Sequence, residues 1–317
     1  MPLQIIIAGA GTCGLCTACY LRASGHSVTL IERSKLDFDP DSPTSSLKQG
    51  WTTHFYANGT RPLLRLGLTL QDLDAVSLQS WWFRDWKNDV LLDDKTHFTE
   101  EYGSPSGTIR RGVLQRALHQ IATEPPTDRV RRATSSFAAA TWGPPVKVID
   151  AVQIAQCDVQ EAMVELSDGR IVHGDILLGC DGIRSAVRAA LYQSVGKPAP
   201  QPETLGMAYF VGLLPTSYFV SEQGKAAGLE YLGQPTWAQE PQAGLAKWTC
   251  RTDPKRWHFV TIHMNAKDTL LIMVMPDDKW KERFAQTKSS VMPFVSVEEI
   301  REHIDQEYDR SLHGIFE

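Results

Sequence analysis

Residues 4–32 read QIIIAGAGTCGLCTACYLRASGHSVTLIE, and this stretch decides the fold. Its first part, Ile5–Ala8, is continuously apolar and rich in β-branched residues, as in a parallel strand that is buried on both faces. Gly9, Gly11 and Gly14 follow directly, and a second β-branched run comes after the intervening helical segment. The stretch therefore predicts strand, tight turn, helix and strand, which is one βαβ unit of a parallel sheet.

Each glycine of the turn has its own physical role. Gly9 permits the tight turn, Gly11 lets a backbone approach a pyrophosphate with no Cβ between them, and Gly14 lets the helix pack close to the strand. Because the helix begins at this turn, its free N–H groups and about half a positive charge point at the phosphates. The spacing predicts a dinucleotide cradle.

Glu32 stands at the carboxyl end of the second predicted strand, where the ribose of a dinucleotide is expected. Its carboxylate accepts both ribose hydroxyls, and each charge-assisted bond contributes roughly 1.5–3 kcal/mol. The same charge repels a 2′-phosphate by about 4 kcal/mol per charge pair at a separation of about 4 Å. The residues alone therefore predict FAD or NAD in this pocket and disfavour NADP.

Length, composition and charge exclude several other classes of protein. The chain has 317 residues, 42% of them hydrophobic and 22% charged, which is typical of a soluble globular protein with two domains. A net charge of −5 disfavours nucleic acid as a partner. The longest apolar runs, such as residues 270–275, are far shorter than the ~20 residues that span a bilayer. We expect a cytoplasmic protein without an integral membrane segment, and a peripheral membrane contact stays open.

The six cysteines are Cys13, Cys16, Cys19, Cys157, Cys180 and Cys250. The first three recur every three residues along the predicted helix, but the sequence places no fourth ligand nearby. We expect them to pack as small apolar groups and not to bind a metal. The last three are isolated in the sequence, so no disulfide framework is predicted.

Two later segments place charged residues at the ends of predicted elements. Arg110 and Arg111 open a helix at the end where the helix dipole disfavours a cation, which suggests that one of them serves an anionic partner. The segment 179–182 follows a predicted strand and precedes a helix. It places Asp181 and free N–H groups at the end of a strand, the usual ligand position in an open α/β sheet.

Three segments, in this order, resemble the class A flavin monooxygenases of the para-hydroxybenzoate and salicylate hydroxylase type. They are Gly9-x-Gly11-x-x-Gly14 with Glu32-Arg33, Arg111-x-x-Leu114-x-x-x-Leu118, and Gly179-Cys180-Asp181-Gly182-x-x-Ser185-x-Val187-Arg188. The resemblance covers nearly the whole chain. It implies an α/β fold in which a Rossmann-like FAD-binding domain is interleaved with a β-sheet substrate domain, and it makes FAD the bound dinucleotide and NAD(P)H the co-substrate.

The resemblance also assigns roles to residues. The cofactor-binding residues that it implies are Gly9, Gly11, Gly14, Glu32, Arg33, Gly50, Arg111 and Asp181. The three turn glycines would hold the pyrophosphate, Glu32 the adenosine ribose and Arg111 the flavin side. Asp181 and Arg188 belong to a segment that the family associates with FAD and NAD(P)H. Gly50 falls where such proteins bring a Gly-rich loop near the flavin.

The domain boundaries follow from the same resemblance. We expect 1–75 with 100–195 to form the FAD-binding domain, 76–99 with 196–295 the β-rich substrate domain, and 296–317 the start of a C-terminal helical segment. The family has a further Gly-Asp-Ala segment after the β-rich domain, and no such stretch occurs in this sequence. The expectation is that the chain lacks this segment and the helices after it, which predicts an open wall beside the flavin and weak FAD retention.

The implied function is that of an FAD-dependent monooxygenase. Such an enzyme uses NAD(P)H and O2 to hydroxylate or epoxidise a small organic substrate, and the family suggests aromatic, polyketide or terpenoid metabolites. The sequence identifies no general base. Two alternatives stay open: another FAD or NAD oxidoreductase built on the same first unit, and a truncated or degenerate flavoprotein without catalytic activity.

Overall fold

The computed structural model describes residues 1–42, 44–45, 47, 52–78, 80–87, 89–95, 97–139, 141–203, 205–215, 217–218, 221–222, 245–249, 258–263 and 268–276. Gly50 and the predicted helical segment 296–317 lie outside the described residues. The chain divides into two compact units. Unit 1 comprises Met1–Trp51, Asn58–Leu73 and Arg110–Glu203, and unit 2 comprises Thr52–Ala57, Asp74–Ile109 and Thr204–Glu317. The sequence predicts that one domain binds FAD and that the other binds the substrate, and these roles stay predictions.

The described residues contain both strands and helices. The strands are β1 Gln4–Ala8, β2 Ser27–Ile31, β3 Thr52–Phe55, β4 Val76–Ser77, β5 Ser80–Arg84, β6 Val90–Lys95, β7 Gly107–Arg110, β8 Lys147–Ile149, β9 Ile154–Asp158, β10 Met163–Leu166, β11 Ile171–His173, β12 Ile176–Gly179, β13 Met207–Pro215, β14 Leu245–Thr249, β15 His258–His263 and β16 Asp268–Pro276. The α-helices are α1 Thr12–Ala23, α2 Ala57–Arg65, α3 Phe98–Tyr102, α4 Arg111–Thr123, α5 Asp128–Thr134 and α6 Ala186–Ser194. Within this described part of the chain, no helix has the length and apolarity needed to cross a bilayer.

Unit 1 is built on a four-stranded parallel sheet with the order β12-β1-β2-β8. β1 lies in the interior of the sheet, and Ile5, Ile6 and Ile7 are buried, which is why an uninterrupted apolar run forms this strand. The N–H of Gly9 donates to the carbonyl of Ile31 at 2.7 Å and ties the end of β1 to the end of β2. The predicted α/β fold with its parallel βαβ unit is confirmed.

A second, antiparallel sheet with the order β11-β10-β9 completes the core of unit 1. The buried side chains that pack together here are Ile6, Ile31, Ile149, Val152, Val164 and Leu166. Because these residues come from both sheets, apolar contacts pack the antiparallel sheet against the parallel one. The polar groups described below lie at the carboxyl edge of the parallel sheet.

Arg22 fixes α1 against α4 inside unit 1. Its side chain is 3% exposed, and Nη1 donates to the carbonyls of Ile121 at 2.7 Å and Glu124 at 2.6 Å. Those carbonyls belong to the last turn of α4 and the residue after it, where a cation is favoured by the helix dipole. The ring of Trp142 covers the guanidinium at 5.5 Å. The start of α4 therefore has a defined position relative to α1.

Unit 2 contains a six-stranded sheet with the order β13-β16-β15-β14-β5-β6. β14 pairs with β5 in parallel, and the other neighbours pair antiparallel. A three-stranded sheet, β3-β7-β4, and the short helix α3 belong to the same unit.

His54 on β3 links two strands of the smaller sheet of unit 2. Its Nδ1 lies 3.1 Å from the hydroxyl of Thr108, and its Nε2 lies 3.1 Å from the hydroxyl of Ser106. Ser106 donates its own hydroxyl hydrogen to the carbonyl of Phe55, so Nε2–H must donate to Ser106 and Nδ1 must accept from Thr108. Burial lowers the pKa of His54 to about 4, and the ring is neutral at neutral pH.

This network predicts an acid-sensitive unit 2. The unfolded chain binds a proton at His54 near its ordinary pKa of 6.5, whereas the folded chain binds it only near pH 4. The unfolded state thus holds more protons in this window, and the free energy of unfolding should fall by about 3 kcal/mol as the pH drops from 6.5 to 4. Urea unfolding followed by tryptophan fluorescence measures this slope.

The matched variants are His54→Gln and His97→Gln, since His97 is exposed. The first should flatten the slope between pH 6.5 and 4, and the second should retain it. An unchanged slope in His54→Gln would contradict the assignment.

Candidate functional site

The turn between β1 and α1 forms the centre of the site, and two of its glycines are required by the protein's own packing. Gly9 has a φ of +96°, and a Cβ at this residue would lie 2.5 Å from the carbonyl oxygen of Cys180. A Cβ at Gly14 would lie 1.9 Å from the carbonyl oxygen of Gly9. Neither position accepts a side chain unless the backbone moves.

Gly11 differs from the other two glycines. A Cβ at Gly11 would meet no atom of the described residues within 4 Å, and its φ of −65° suits any residue. Gly11 is the N-cap residue of α1, no side chain caps this end, and the first turn contains no acidic residue. The turn therefore leaves open space in front of helix N–H groups, which is the arrangement that binds an anion.

Glu32 follows the last residue of β2, and its carboxylate is held toward the turn. Oε2 accepts the N–H of Ala10 at 2.8 Å, and Oε1 accepts the N–H of Ser34 at 2.9 Å. A carboxylate offers about four lone-pair positions, so each oxygen keeps acceptor capacity after these bonds. The geometry leaves Glu32 able to accept the two hydroxyls of a ribose.

The segment that follows β12 packs against the same turn. The N–H of Cys180 donates to the carbonyl of Ala8 at 2.8 Å, so the backbone of this segment runs beside Gly9. Asp181 Oδ2 accepts the N–H of Ala186 at 2.6 Å, which anchors the start of α6. Asp181 Oδ1 is buried and has no hydrogen-bond partner among the described residues. A buried carboxylate oxygen in this state calls for a donor that the described polypeptide does not supply.

Helix α4 also reaches the glycine turn. Gln115 Nε2 donates to the carbonyl of Ala10 at 3.2 Å. Arg111, one turn earlier on the same face of α4, is the first residue of the helix, and its side chain is exposed. Arg33 directly follows Glu32 and is also exposed. The structure records no hydrogen bond or ion pair of either guanidinium to a described residue, and both are available to an anionic ligand.

Sequence reasoning missed Gln115, although the i, i+4 spacing from Arg111 was a usable signal. It also gave no sign that Cys180 lies near Cys13; both are free thiols, and their Sγ atoms are 3.8 Å apart. Arg188 donates to the carbonyls of Gly182 and Ile183, so its observed role is to hold the loop before α6. Gly50 lies outside the described residues, and its role stays a prediction.

The thiols along α1 differ in their surroundings. Cys13 is exposed, Cys16 is half-buried and Cys19 is buried. Burial, and then the neighbouring Cys13, raise the pKa of Cys16 to about 11, and burial raises the pKa of Cys19 further. Both thiols stay protonated and uncharged beside the turn. Over the described residues there is no group of three or more His, Cys, Asp or Glu side chains placed to hold a metal ion.

These residues fit an adenine dinucleotide on three grounds. Within the described part of the chain, Gly11 leaves room that no atom fills, Glu32 keeps acceptor positions, and Asp181 presents a buried oxygen without a hydrogen-bond partner. All three belong to unit 1.

Comparison with known proteins places this geometry in a family. Among curated proteins, hispidin-3-hydroxylase of Neonothopanus nambi is 27% identical over 199 residues, which cover 62% of this chain and 42% of that protein. The FAD-dependent monooxygenase pynG of Aspergillus niger is 25% identical over 288 residues, which cover 84% of this chain and 58% of that protein. The chain thus spans about half the length of the curated relatives that it matches.

Solved structures share the fold. A 2-methyl-3-hydroxypyridine-5-carboxylic acid oxygenase superimposes with a TM-score of 0.60 at 18% identity, covering 100% of this chain and 67% of that one. PqsL of Pseudomonas aeruginosa, described as a probable FAD-dependent monooxygenase, gives a TM-score of 0.60 at 14% identity, covering 100% of this chain and 70% of that one.

The model of one family, described as FAD dependent oxidoreductase, matches residues 4–182, which run from the first residue of β1 to the loop after Asp181. The match includes the glycine turn, Glu32, the start of α4 and the segment that packs on Gly9. The chain belongs to the FAD dependent oxidoreductase family.

Proposed function

We propose that unit 1 binds FAD and that the chain acts as an FAD-dependent monooxygenase, using NAD(P)H and O2 to hydroxylate or epoxidise a small organic substrate. The observation that carries the proposal is Gly11. Gly9 and Gly14 are explained by packing within the protein, whereas no described residue accounts for the absence of a side chain at Gly11, which supports a ligand that approaches the N-terminus of α1. The names of two curated relatives, a hydroxylase and an FAD-dependent monooxygenase, support the reaction type.

Each proposed contact follows from a group that the structure leaves unused. The pyrophosphate would lie over Gly11 and the first-turn N–H groups of α1. Glu32 would accept the hydroxyls of the adenosine ribose, because its two existing bonds orient the carboxylate without filling it. Arg111 would neutralise charge on the flavin side, and Asp181 would accept a hydrogen bond from the cofactor at Oδ1. Arg33 and Gly50 stay in the proposed site by resemblance.

When bound, FAD supplies the redox chemistry: it takes two electrons from a reduced nicotinamide and activates O2 so that one oxygen atom reaches the substrate. The part of the polypeptide is to bind and orient the cofactor and to shield the reaction from water. The backbone N–H groups of Ala10 and Ser34 orient the Glu32 carboxylate before the ligand arrives, which lowers the entropic cost of binding. The same charge repels a 2′-phosphate, so NADPH would have to bind elsewhere on the protein.

Unit 2 is proposed to hold the substrate, and its aromatic side chains support a planar, largely apolar one. The rings of Tyr56 and Trp81 are stacked with centroids 6.0 Å apart, and Trp81 meets Phe83 edge to face at 6.2 Å. Lys247 Nζ lies 6.0 Å from the centre of the Phe83 ring, and burial lowers the pKa of this lysine. An aromatic surface with one cation beside it suits an aromatic compound that carries an acidic group.

The function is tested on the purified chain in two steps. Its visible spectrum, before and after addition of FAD and gel filtration, shows whether flavin is retained. Oxidation of NADH and of NADPH is then followed with and without a panel of phenols and aromatic acids, and products are identified by mass spectrometry with ¹⁸O2. Incorporation of labelled oxygen supports the proposal. Failure to bind FAD would contradict it, and flavin binding without turnover of any compound would favour a non-catalytic flavoprotein.

Gly11→Ala should change cofactor binding, whereas Gly14→Ala should change folding stability. Gly11→Ala should leave the folding stability nearly unchanged and weaken the binding of FAD at least 10-fold, because the new methyl group occupies only ligand space. Gly14→Ala should destabilise the protein by about 2 kcal/mol or more, because α1 must move away from β1. Thermal unfolding and a flavin fluorescence titration measure the two effects. If Gly11→Ala binds FAD normally, the pyrophosphate does not lie at this turn.

Glu32→Ala should weaken the binding of FAD and of ADP by roughly 1.5–3 kcal/mol, which is about 10- to 150-fold in Kd. Glu32→Gln should have an intermediate effect, because a neutral amide oxygen still accepts a hydrogen bond. Glu161→Ala, at an exposed glutamate outside the site, is the control and should bind normally. Circular dichroism verifies that the variants fold, and an unchanged Kd for Glu32→Ala would remove its assigned role.

A further inference from the structure

Two thiols meet at the edge of the glycine turn. Cys13 is the second residue of α1, and Cys180 directly follows β12, so the two are 167 positions apart in the sequence. Their Sγ atoms are 3.8 Å apart. Both residues belong to unit 1, and both backbones are fixed: Cys13 by its helix, and Cys180 by the 2.8 Å bond from its N–H to Ala8.

The surroundings give the two sulfur atoms different properties. Cys13 is exposed, whereas Cys180 is half-buried and interacts with the side-chain hydroxyl of Thr17 through a hydrogen bond. Burial, followed by the proximity of Cys13, raises the pKa of Cys180 to about 12, and Asp181 adds to this effect. Cys180 therefore rests as a thiol, and Cys13 is the sulfur that a reagent in solution can reach. Packing of small apolar groups accounts for buried Cys19 but does not account for an exposed thiol that faces a second one.

We infer that Cys13 and Cys180 form an oxidisable dithiol, a modification site at which a peroxide converts two thiols into one disulfide. The thiolate of Cys13 attacks one peroxide oxygen, the O–O bond breaks, and Cys13 becomes a sulfenic acid; the hydroxide that leaves takes up the proton that the Cys13 thiol released and becomes water. Cys180 then attacks the sulfur of Cys13, the S–O bond breaks, and the proton of Cys180 leaves with the hydroxide as a second water. The two sulfur atoms together lose two electrons, which reduce the peroxide.

Cys16 is the competing partner, because it lies one helical turn after Cys13. Its thiol is half-buried with a pKa raised to about 11, and among the described residues the contact of Cys13 with another sulfur is the one to Cys180. The geometry therefore selects Cys180 as the resolving thiol.

The disulfide would join the first turn of α1 to the segment after β12. It would close a loop of 167 positions, and cross-links across long loops restrict the unfolded chain the most. We expect the oxidised protein to unfold about 5 °C higher than the reduced protein. The cross-link also lies where the proposed pyrophosphate would sit, so ADP or FAD should slow the oxidation of Cys13. This last expectation rests on the proposed function, whereas the dithiol itself does not.

The experiment treats the full chain, reduced and freed of reductant, with a small excess of hydrogen peroxide. Remaining thiols are then blocked with N-ethylmaleimide under denaturing conditions, and peptides are mapped by mass spectrometry. The expected product is one cross-linked peptide pair containing Cys13 and Cys180, reversed by dithiothreitol. A Cys13–Cys16 disulfide, or an irreversibly oxidised Cys13 beside a free Cys180, would overturn the proposal.

Variants separate the pair from general oxidation. Cys157→Ser retains both thiols of the pair and should form the same disulfide with the same rise in unfolding temperature. Cys13→Ser and Cys180→Ser should lose both responses, and the wild-type peptide map decides the question if either variant folds poorly. Cross-linking at an equal rate with and without saturating ADP would leave the dithiol in place and would count against the proposed dinucleotide site alone.

Discussion

The close approach of α1 to the end of β1 is the constraint on which the site depends. Gly14 lies so near the carbonyl of Gly9 that a single methyl group would overlap it, and Gly9 in turn lies against the carbonyl of Cys180. These contacts bring the helix N-terminus, the end of β1 and the end of β12 together at one edge of the parallel sheet. Buried apolar residues behind the sheet maintain this edge, because Ile6 and Ile31 pack into the core from the strands that carry it. The positions of the α1 N-terminus and of Asp181 follow from this backbone packing.

The arrangement of charges keeps the protein's own carboxylates from occupying the anion-binding N-terminus of α1. A helix N-terminus attracts any nearby carboxylate, and two carboxylates, Glu32 and Asp181, lie close to this turn. Each is held by other backbone donors: Glu32 by Ala10 and Ser34, and Asp181 by the N-terminus of α6. Neither carboxylate caps α1, and no acidic residue occupies its first turn, so no carboxylate of the described residues competes for this helix N-terminus. In the proposed function, the carboxylates accept hydrogen bonds from the cofactor and the helix N-terminus binds phosphate.

The sequence predicts the parts of this site that are fixed by local structure. The βαβ unit, the helix that starts at Arg111 and the strand before Asp181 depend on periodicity and glycine spacing within short stretches. The contacts of Gln115 with Ala10 and of Cys13 with Cys180 span 105 and 167 positions, and they depend on which strands pair and how α4 packs on α1. No pattern within a short stretch of sequence predicts these two contacts. The residues themselves predict the roles of the three turn glycines and Glu32, whereas the resemblance supplied Arg33, Gly50 and the specific roles of Arg111 and Asp181.

The two units carry different kinds of constraint. In the glycine turn of unit 1, backbone contacts leave no room for a side chain at Gly9 or Gly14. In the six-stranded sheet of unit 2, pairing is through the backbone, and alternate side chains change without breaking the ladder. A fold shared at 14–18% identity is therefore compatible with different substrates, because a fold does not fix its function. In the proposed function, the choice of substrate would reside in side chains such as Trp81, Phe83 and Lys247, whereas the choice of dinucleotide would reside in the backbone of one turn and a single carboxylate.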